Sequence, residues 1–180
     1  GRHLLEHRWR LRRIFPPQAL ARIEQAIKSG EATHSGQVRF VVEGALDGAP
    51  LFRNQPARER ALDIFSQLRI WDTVHNNGVL IYLLLADHDF EIVADRGIDA
   101  RVGHAGWEKI CVEMETQFRA GNFEGGVIKG IEAVSRELRL HRVDLRHDAH
   151  LGDVVGRLRG VPRQREHARE DLFEAVDELL

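Results

Sequence analysis

Three short polar strings hold most of the residues in this chain whose types and spacing could do chemistry. They are His34-Ser35-Gly36-Gln37, Asp72-Thr73-Val74-His75-Asn76-Asn77 and Asp95-Arg96-Gly97-Ile98-Asp99. Carboxylate and amide oxygens of this kind suit a hard cation such as Ca²⁺ or Mg²⁺, or a pair of groups that exchange protons. The competing reading gives each residue a local task. Asp72 then caps a turn, Asp95 and Asp99 shape the loop beside Gly97, and His34 and His75 are solvated. A fourth string, His141, Asp144, His147, Asp148 and His150, has ligand residue types but neither zinc spacing nor a Cys partner, and reads as polar tail.

The common catalytic frameworks are missing: there is no Gly-rich phosphate loop, no Gly-x-Ser-x-Gly elbow and no HExxH. Asp87-His88-Asp89, at the end of an apolar run, superficially resembles the first motif of haloacid-dehalogenase-type phosphatases. Glu91 stands where that motif needs a hydroxyl, and the chain returns at once into apolar sequence, so the string reads as a hairpin turn. Gly125, Gly126 and Gly130 fall inside a helical stripe and are expected to let that helix pack closely on the sheet. Cys111 shares a stripe with Trp107 and Met114, which makes it a small core filler; as the sole cysteine it excludes an internal disulfide.

Elements that could position these residues follow from periodicity. Pro16-Pro17 opens a helix that Gly30 ends, with Leu20, Ile23 and Ile27 as its apolar stripe. Val38, Phe40 and Val42 alternate as a strand. Residues 44–56 read as loop, and Ala57, Ala61, Ile64, Phe65 and Leu68 recur at helical spacing. Gly78 introduces Val79 to Ala86, eight apolar residues suited to a central strand covered on both faces. A turn then leads into Phe90 to Ala94, close enough that the two strands must be antiparallel. Trp107, Ile110, Met114 and Phe118 mark one further helix, ended by Gly121, and Val127, Ile131, Val134 and Leu138 mark another. The expected fold is an α/β three-layer sandwich, α-β-α, with a mixed, mostly buried sheet of about four strands.

A helix joins the first strand to the second, so these are expected parallel, while the third returns. That places His34, Gln37, Asp72, His75, Asn76, Asn77, Asp95 and Asp99 along one sheet edge, with Asp87 and Asp89 along the other.

The order of elements, together with HSGQVRFVVEG, NNGVLIYLLL, ADRGI and FRAGNFEGGVIKGI, resembles the TPM-domain family over residues 18–140. That family includes thylakoid-lumen proteins linked to photosystem repair, a nematode receptor modulator and many bacterial proteins. The resemblance implies an acidic edge associated with divalent-cation binding and, in some members, acid phosphatase activity. The implied metal ligands here are Asp72, Asn76, Asp95, Asp99 and Gln37, with His34, His75 and Asn77 as further polar edge. Gln37 stands where the family has Glu, and Asn76 where it has Asp. Each replacement removes a full negative charge, and affinity in oxygen sites follows ligand charge, so only weak Ca²⁺ or Mg²⁺ binding is expected.

Composition frames these readings. The 180 residues are 43% hydrophobic and 30% charged with a net charge of −2, which suits one domain and gives no global field for nucleic acid. Residues 1–14 form a basic arm, residues 15–140 the domain, and residues 141–180 a polar appendage with a short helix carrying Leu172, Val176 and Leu179. Residues 1–13 carry five arginines against Glu6, with Leu4, Leu5, Trp9 and Leu11 interleaved, a pattern fit for peripheral membrane contact or for folding back onto the domain. No apolar run approaches the twenty residues of a membrane helix, and a cytoplasmic, membrane-associated setting is expected. Gly1 in place of Met fits a chain that begins inside a longer product. The function these features favour is a non-enzymatic module that binds a protein partner in the assembly or upkeep of membrane-associated proteins. The alternative is a cation-dependent, phosphatase-like hydrolase working at the Asp72/Asp95/Asp99 edge.

Overall fold

Every residue of Gly78–Leu84 is buried, and this strand, β2, is the centre from which the rest is built. Removing its large apolar side chains from water stabilises the fold by about 1.5–3 kcal/mol each. The structure, a computed structural model, describes residues 9–44, 55–141 and 159–160. Helix α1 is described over residues 9–14, followed by α2 (Pro17–Glu31), β1 (Gln37–Glu43), α3 (Ala57–Gln67), β2, β3 (Asp89–Ala94), α4 (Arg96–Arg119), α5 (Phe123–Leu140) and β4 (Arg159–Gly160).

The sheet runs β1-β2-β3-β4. β1 and β2 are parallel from Gln37↔Gly78 to Glu43↔Leu84, and β3 is antiparallel to β2 from Val79↔Ala94 to Leu84↔Asp89. Three strands are of ordinary length, whereas β4 contributes two residues beside Val93 and Ala94. Alternation splits β2 between two cores. Leu80, Tyr82 and Leu84 pack with Ala57, Ala61, Ile64 and Phe65 of α3. Val79, Ile81 and Leu83 pack with Ile23 of α2, Trp107 and Met114 of α4 and Val127 and Ile131 of α5. The result is the expected three layers. Phe15 is in the second core, and Leu11 and Ile14 pack against it, so the described part of the N-terminal arm folds onto the domain.

β1 is the outer strand at one side of the sheet. Its Val38 N–H donates to Glu31 Oε1 at 2.8 Å, and its Val38 carbonyl accepts from Arg39 Nη1 at 3.1 Å.

Four expectations about the helices need correction. Leu20 is exposed and Ala19 takes the buried position on α2. Leu68 is the residue that ends α3 and is turned outward, because Arg69 enters the left-handed region at φ 52° and breaks the stripe. Residues 95–99 are no loop, since Asp95 is the N-cap and Arg96 to Asp99 the first turn of α4, a helix interrupted at Gly103 with φ 70°. Finally, Gly126 and Gly130 face Phe118 and Met114 of α4 and not the sheet: a Cβ at either would lie 2.5 Å from those side chains. Most of the 44–56 loop and the appendage lie outside the described residues.

Candidate functional site

Main-chain hydrogen bonds gather the polar strings at the start of β2. Gln37 N–H donates to the Asn77 carbonyl at 3.4 Å, Asp95 N–H to the Gly78 carbonyl at 2.8 Å, and Ile98 N–H to the Asn76 carbonyl at 3.1 Å. Gln37, Asn76, Asn77, Asp95 and Asp99 therefore share one edge, whereas Asp89 pairs with Leu84 at the other end of the hairpin. Asn76 sits at φ 50°, a left-handed conformation in which Asn is well tolerated. Gly97 lets α4 start against this turn, since a Cβ there would be 2.6 Å from the Asn76 carbonyl oxygen and 2.8 Å from that of His75.

Asp95 is the most constrained of these side chains. Its Oδ1 accepts from the Arg96 N–H at 2.8 Å, the N-cap interaction that satisfies a helix-end donor. Its Oδ2 is buried and has no donor among the described residues, with the residue 6% exposed. Burial raises the Asp95 pKa above the ordinary carboxylate value, against the lowering effect of the Arg96 N–H and the Arg96 charge. Asn77, 8% exposed, is similar: its N–H donates to Thr73 Oγ1 at 3.0 Å and its Nδ2 to Ser35 Oγ at 3.4 Å, while its Oδ1 is buried without a donor. Buried acceptors in this state are uncommon.

The remaining expected ligands contribute less. Asp72 lies on the surface with its carboxylate on Arg69 Nη2 at 2.8 Å. Asn76 is exposed, Gln37, His75 and Asp99 are half-buried, and His34 is buried where a solvated loop histidine was expected. Among the described residues, no three His, Cys, Asp or Glu side chains come together as a metal-ligand set. Asp95 Oδ2 and Asn77 Oδ1 are the two buried acceptors of this edge that have no donor among the described residues.

Beside this edge is a feature that periodicity concealed. The connection from α3 to β2 turns Ile70 inward and leaves Leu68, Trp71 and Val74 exposed by 53%, 37% and 90%. The Arg69 guanidinium stands 5.7 Å from the Trp71 ring centroid, a cation–π contact at the surface. Four apolar residues, Leu68, Ile70, Trp71 and Val74, in an otherwise polar connection were the available signal.

At the opposite end of the sheet Asp87 is exposed in the hairpin turn, His88 has φ 50°, and Asp89 is buried as the first residue of β3. Under α3, Glu43 accepts from Arg60 Nη2 at 2.7 Å and from the Tyr82 hydroxyl at 2.7 Å, and Arg58 approaches Glu91 at 3.3 Å. Burial pushes Glu43 up, but the hydrogen bonds from Arg60 and Tyr82 outweigh it and leave Glu43 below its ordinary pKa. Burial and the Glu43 carboxylate together raise Tyr82. Cys111 is half-buried and packs against the core. Of the histidine-rich string only His141 is described, at the end of α5 and 3.4 Å from Glu137. No helix among the described residues is long and apolar enough to cross a membrane.

Comparison with known proteins agrees with this architecture. The TPM domain profile matches residues 11–137. The solution structure of the BA42 protein from the psychrophilic bacterium Bizionia argentinensis is similar, with 30% identity and a TM-score of 0.61 over 69% of this chain and 81% of that one. The N-terminal domain of a P. gingivalis protein shares the fold at 18% identity and a TM-score of 0.57, over 69% of this chain and 76% of that one. No curated protein matches the chain.

Proposed function

The chain belongs to the TPM domain family, and from that premise we propose that it is a non-enzymatic module that holds a protein partner at the Gln37/Asn76/Asp95 edge, in the assembly or upkeep of membrane-associated proteins. The observation that carries this reading is the exposed triplet Leu68, Trp71 and Val74 on the connection that leads into that edge. Tryptophan and arginine are among the residue types enriched at the energetic centres of protein interfaces, and the neighbouring polar edge provides the rim that such an interface needs. A photo-crosslinking residue at Val74 should capture a specific protein in cells, and one at the exposed Lys129 should not. The captured protein, purified, should then bind the natural chain at least tenfold more tightly than Val74→Asp. Equal binding by both would end this reading.

A second reading, a cation-dependent hydrolase at the same edge, is supported by Asp95 Oδ2 and Asn77 Oδ1, two buried acceptors with no donor among the described residues. Its test is cation-dependent release of phosphate from a simple aryl phosphate by the natural chain and not by Asp95→Asn.

A further inference from the structure

Helices α2 and α5 run side by side, joined near their starts by the Arg22 guanidinium on Glu124. Towards their other ends a cleft of about 440 Å³ opens between them, lined by Gln25, Ser29, Gly30, Ser135, Arg136 and Arg139. Ser135 forms its floor at 2% exposure, and its hydroxyl has no hydrogen-bond partner among the described residues, not even the carbonyl one turn back that a helical serine usually takes. Gly30 makes room for that hydroxyl, because a Cβ at Gly30 would overlap Ser135 Oγ. Above the floor, Arg136 makes no ion pair with any described residue, and Arg139 has only Thr33 Oγ1, at 3.3 Å. Gln25 Nε2 donates to Ser29 Oγ at 3.2 Å, which leaves the Ser29 hydroxyl proton to point elsewhere.

We propose that this cleft binds a small ligand through a phosphate group. The groups that face it are donors in excess: two guanidiniums three residues apart on one helix face and the hydroxyl of Ser29, while Ser135 Oγ is shut beneath them against Gly30. A carboxylate has two oxygens to meet three such side chains, whereas a phosphate has three or four, and arginine forks match its geometry. Glu132 also borders the cleft, so Arg136, Arg139 and Glu132 leave a net charge of +1 there. Both helices end here, and their dipoles oppose an anion. Several last-turn carbonyls are already bonded, those of Lys28, Gly30 and Glu137, and two full guanidinium charges exceed the partial charges that remain. The Glu132 carboxylate is placed to accept a hydroxyl of an organic phosphate. This site is independent of the partner-binding edge.

Calorimetric titration and thermal melting of the full chain, with inorganic phosphate and glycerol 1-phosphate against chloride at equal ionic strength, test the proposal. Phosphate should raise the melting temperature and chloride should not. The double variant Arg136→Gln with Arg139→Gln, at two exposed positions, should weaken binding at least tenfold. Tighter binding of glycerol 1-phosphate identifies an ester as the ligand; tighter binding of inorganic phosphate identifies the free ion. A phosphate effect no larger than that of chloride, or equal binding by the double variant, overturns the proposal.

Discussion

The main-chain carbonyl of Ile70 lies directly against the Cα of Gly78, so that a Cβ at residue 78 would overlap both the carbonyl oxygen and its carbon. Ile70 is fully buried and tied by its N–H to the Phe65 carbonyl at 3.0 Å, so neither partner can retreat. Gly78→Ala should therefore destabilise the fold by about 3 kcal/mol, the upper end of overpacking costs, with Gly97→Ala acting in the same direction against the carbonyls of His75 and Asn76. Urea unfolding followed by circular dichroism measures both, and unchanged midpoints would refute the close approach.

Asp95 should make stability fall with rising pH. Its folded pKa is raised by burial, so between the ordinary carboxylate value of about 4 and the raised value the folded state holds a proton that the unfolded state releases. Each step up in pH through that window removes stability, and below it the group contributes no pH dependence. Asp95→Asn keeps an oxygen to cap α4 and has no charge to bury. Relative to the natural chain, the variant should gain stability as pH rises from about 3 to neutrality. Chemical denaturation at several pH values reads this, and parallel curves would contradict it.

The same edge can be pushed towards cation binding. Gln37→Glu with Asn76→Asp adds two carboxylates near Asp95, and the double variant should bind Ca²⁺ or Mg²⁺ more tightly than the natural chain. Without cation it should be less stable, and millimolar cation should restore its melting temperature. A thermal shift of equal size in both proteins would show that the lost charges do not govern affinity.

On the α3 side, Arg60→Gln removes the larger of the two hydrogen-bonded supports of Glu43 and leaves a half-buried carboxylate with Tyr82 as its side-chain donor among the described residues. A loss of about 1–3 kcal/mol at neutral pH is expected. The Glu43 pKa is depressed in the folded state, so the stability it confers is present above the ordinary carboxylate range and disappears as pH falls through the depressed value. The difference between natural chain and variant should accordingly shrink in acid. Tyr82→Phe should cost less, since Arg60 stays in place.

Much of this arrangement was legible in the residues themselves. The unbroken run from Val79 identified the central strand, and Asp87-His88-Asp89 identified the hairpin, because apolar length and turn chemistry are local signals. Sorting the polar strings to one edge then followed from strand direction, and the TPM resemblance over residues 18–140 corresponds to the profile match over 11–137. The misreadings share a cause. Asp95-Arg96-Gly97 has the composition of a loop, yet Asp95 caps a helix and Gly97 is small because a neighbouring turn touches it. A small-residue stripe such as Gly126 and Gly130 reports close approach but not to which surface, and here the surface is α4. Leu68 fits the helical period, but the left-handed Arg69 ends the helix before the period can bury it.

The outer strand β1 carries one more consequence. An open sheet edge is a template on which another chain can add itself, and a short apolar stretch such as Val38 to Val42 invites such growth. At Val38 the outward N–H is already held by Glu31 and the outward carbonyl by Arg39, two side chains paired with each other at 3.3 Å. A foreign strand arriving there meets occupied hydrogen-bonding groups and a pair of charges it would have to strip of water. One ion pair thus works as a guard against fibril-like stacking, and its removal should appear first as lowered solubility at high concentration, before any change in the melting temperature.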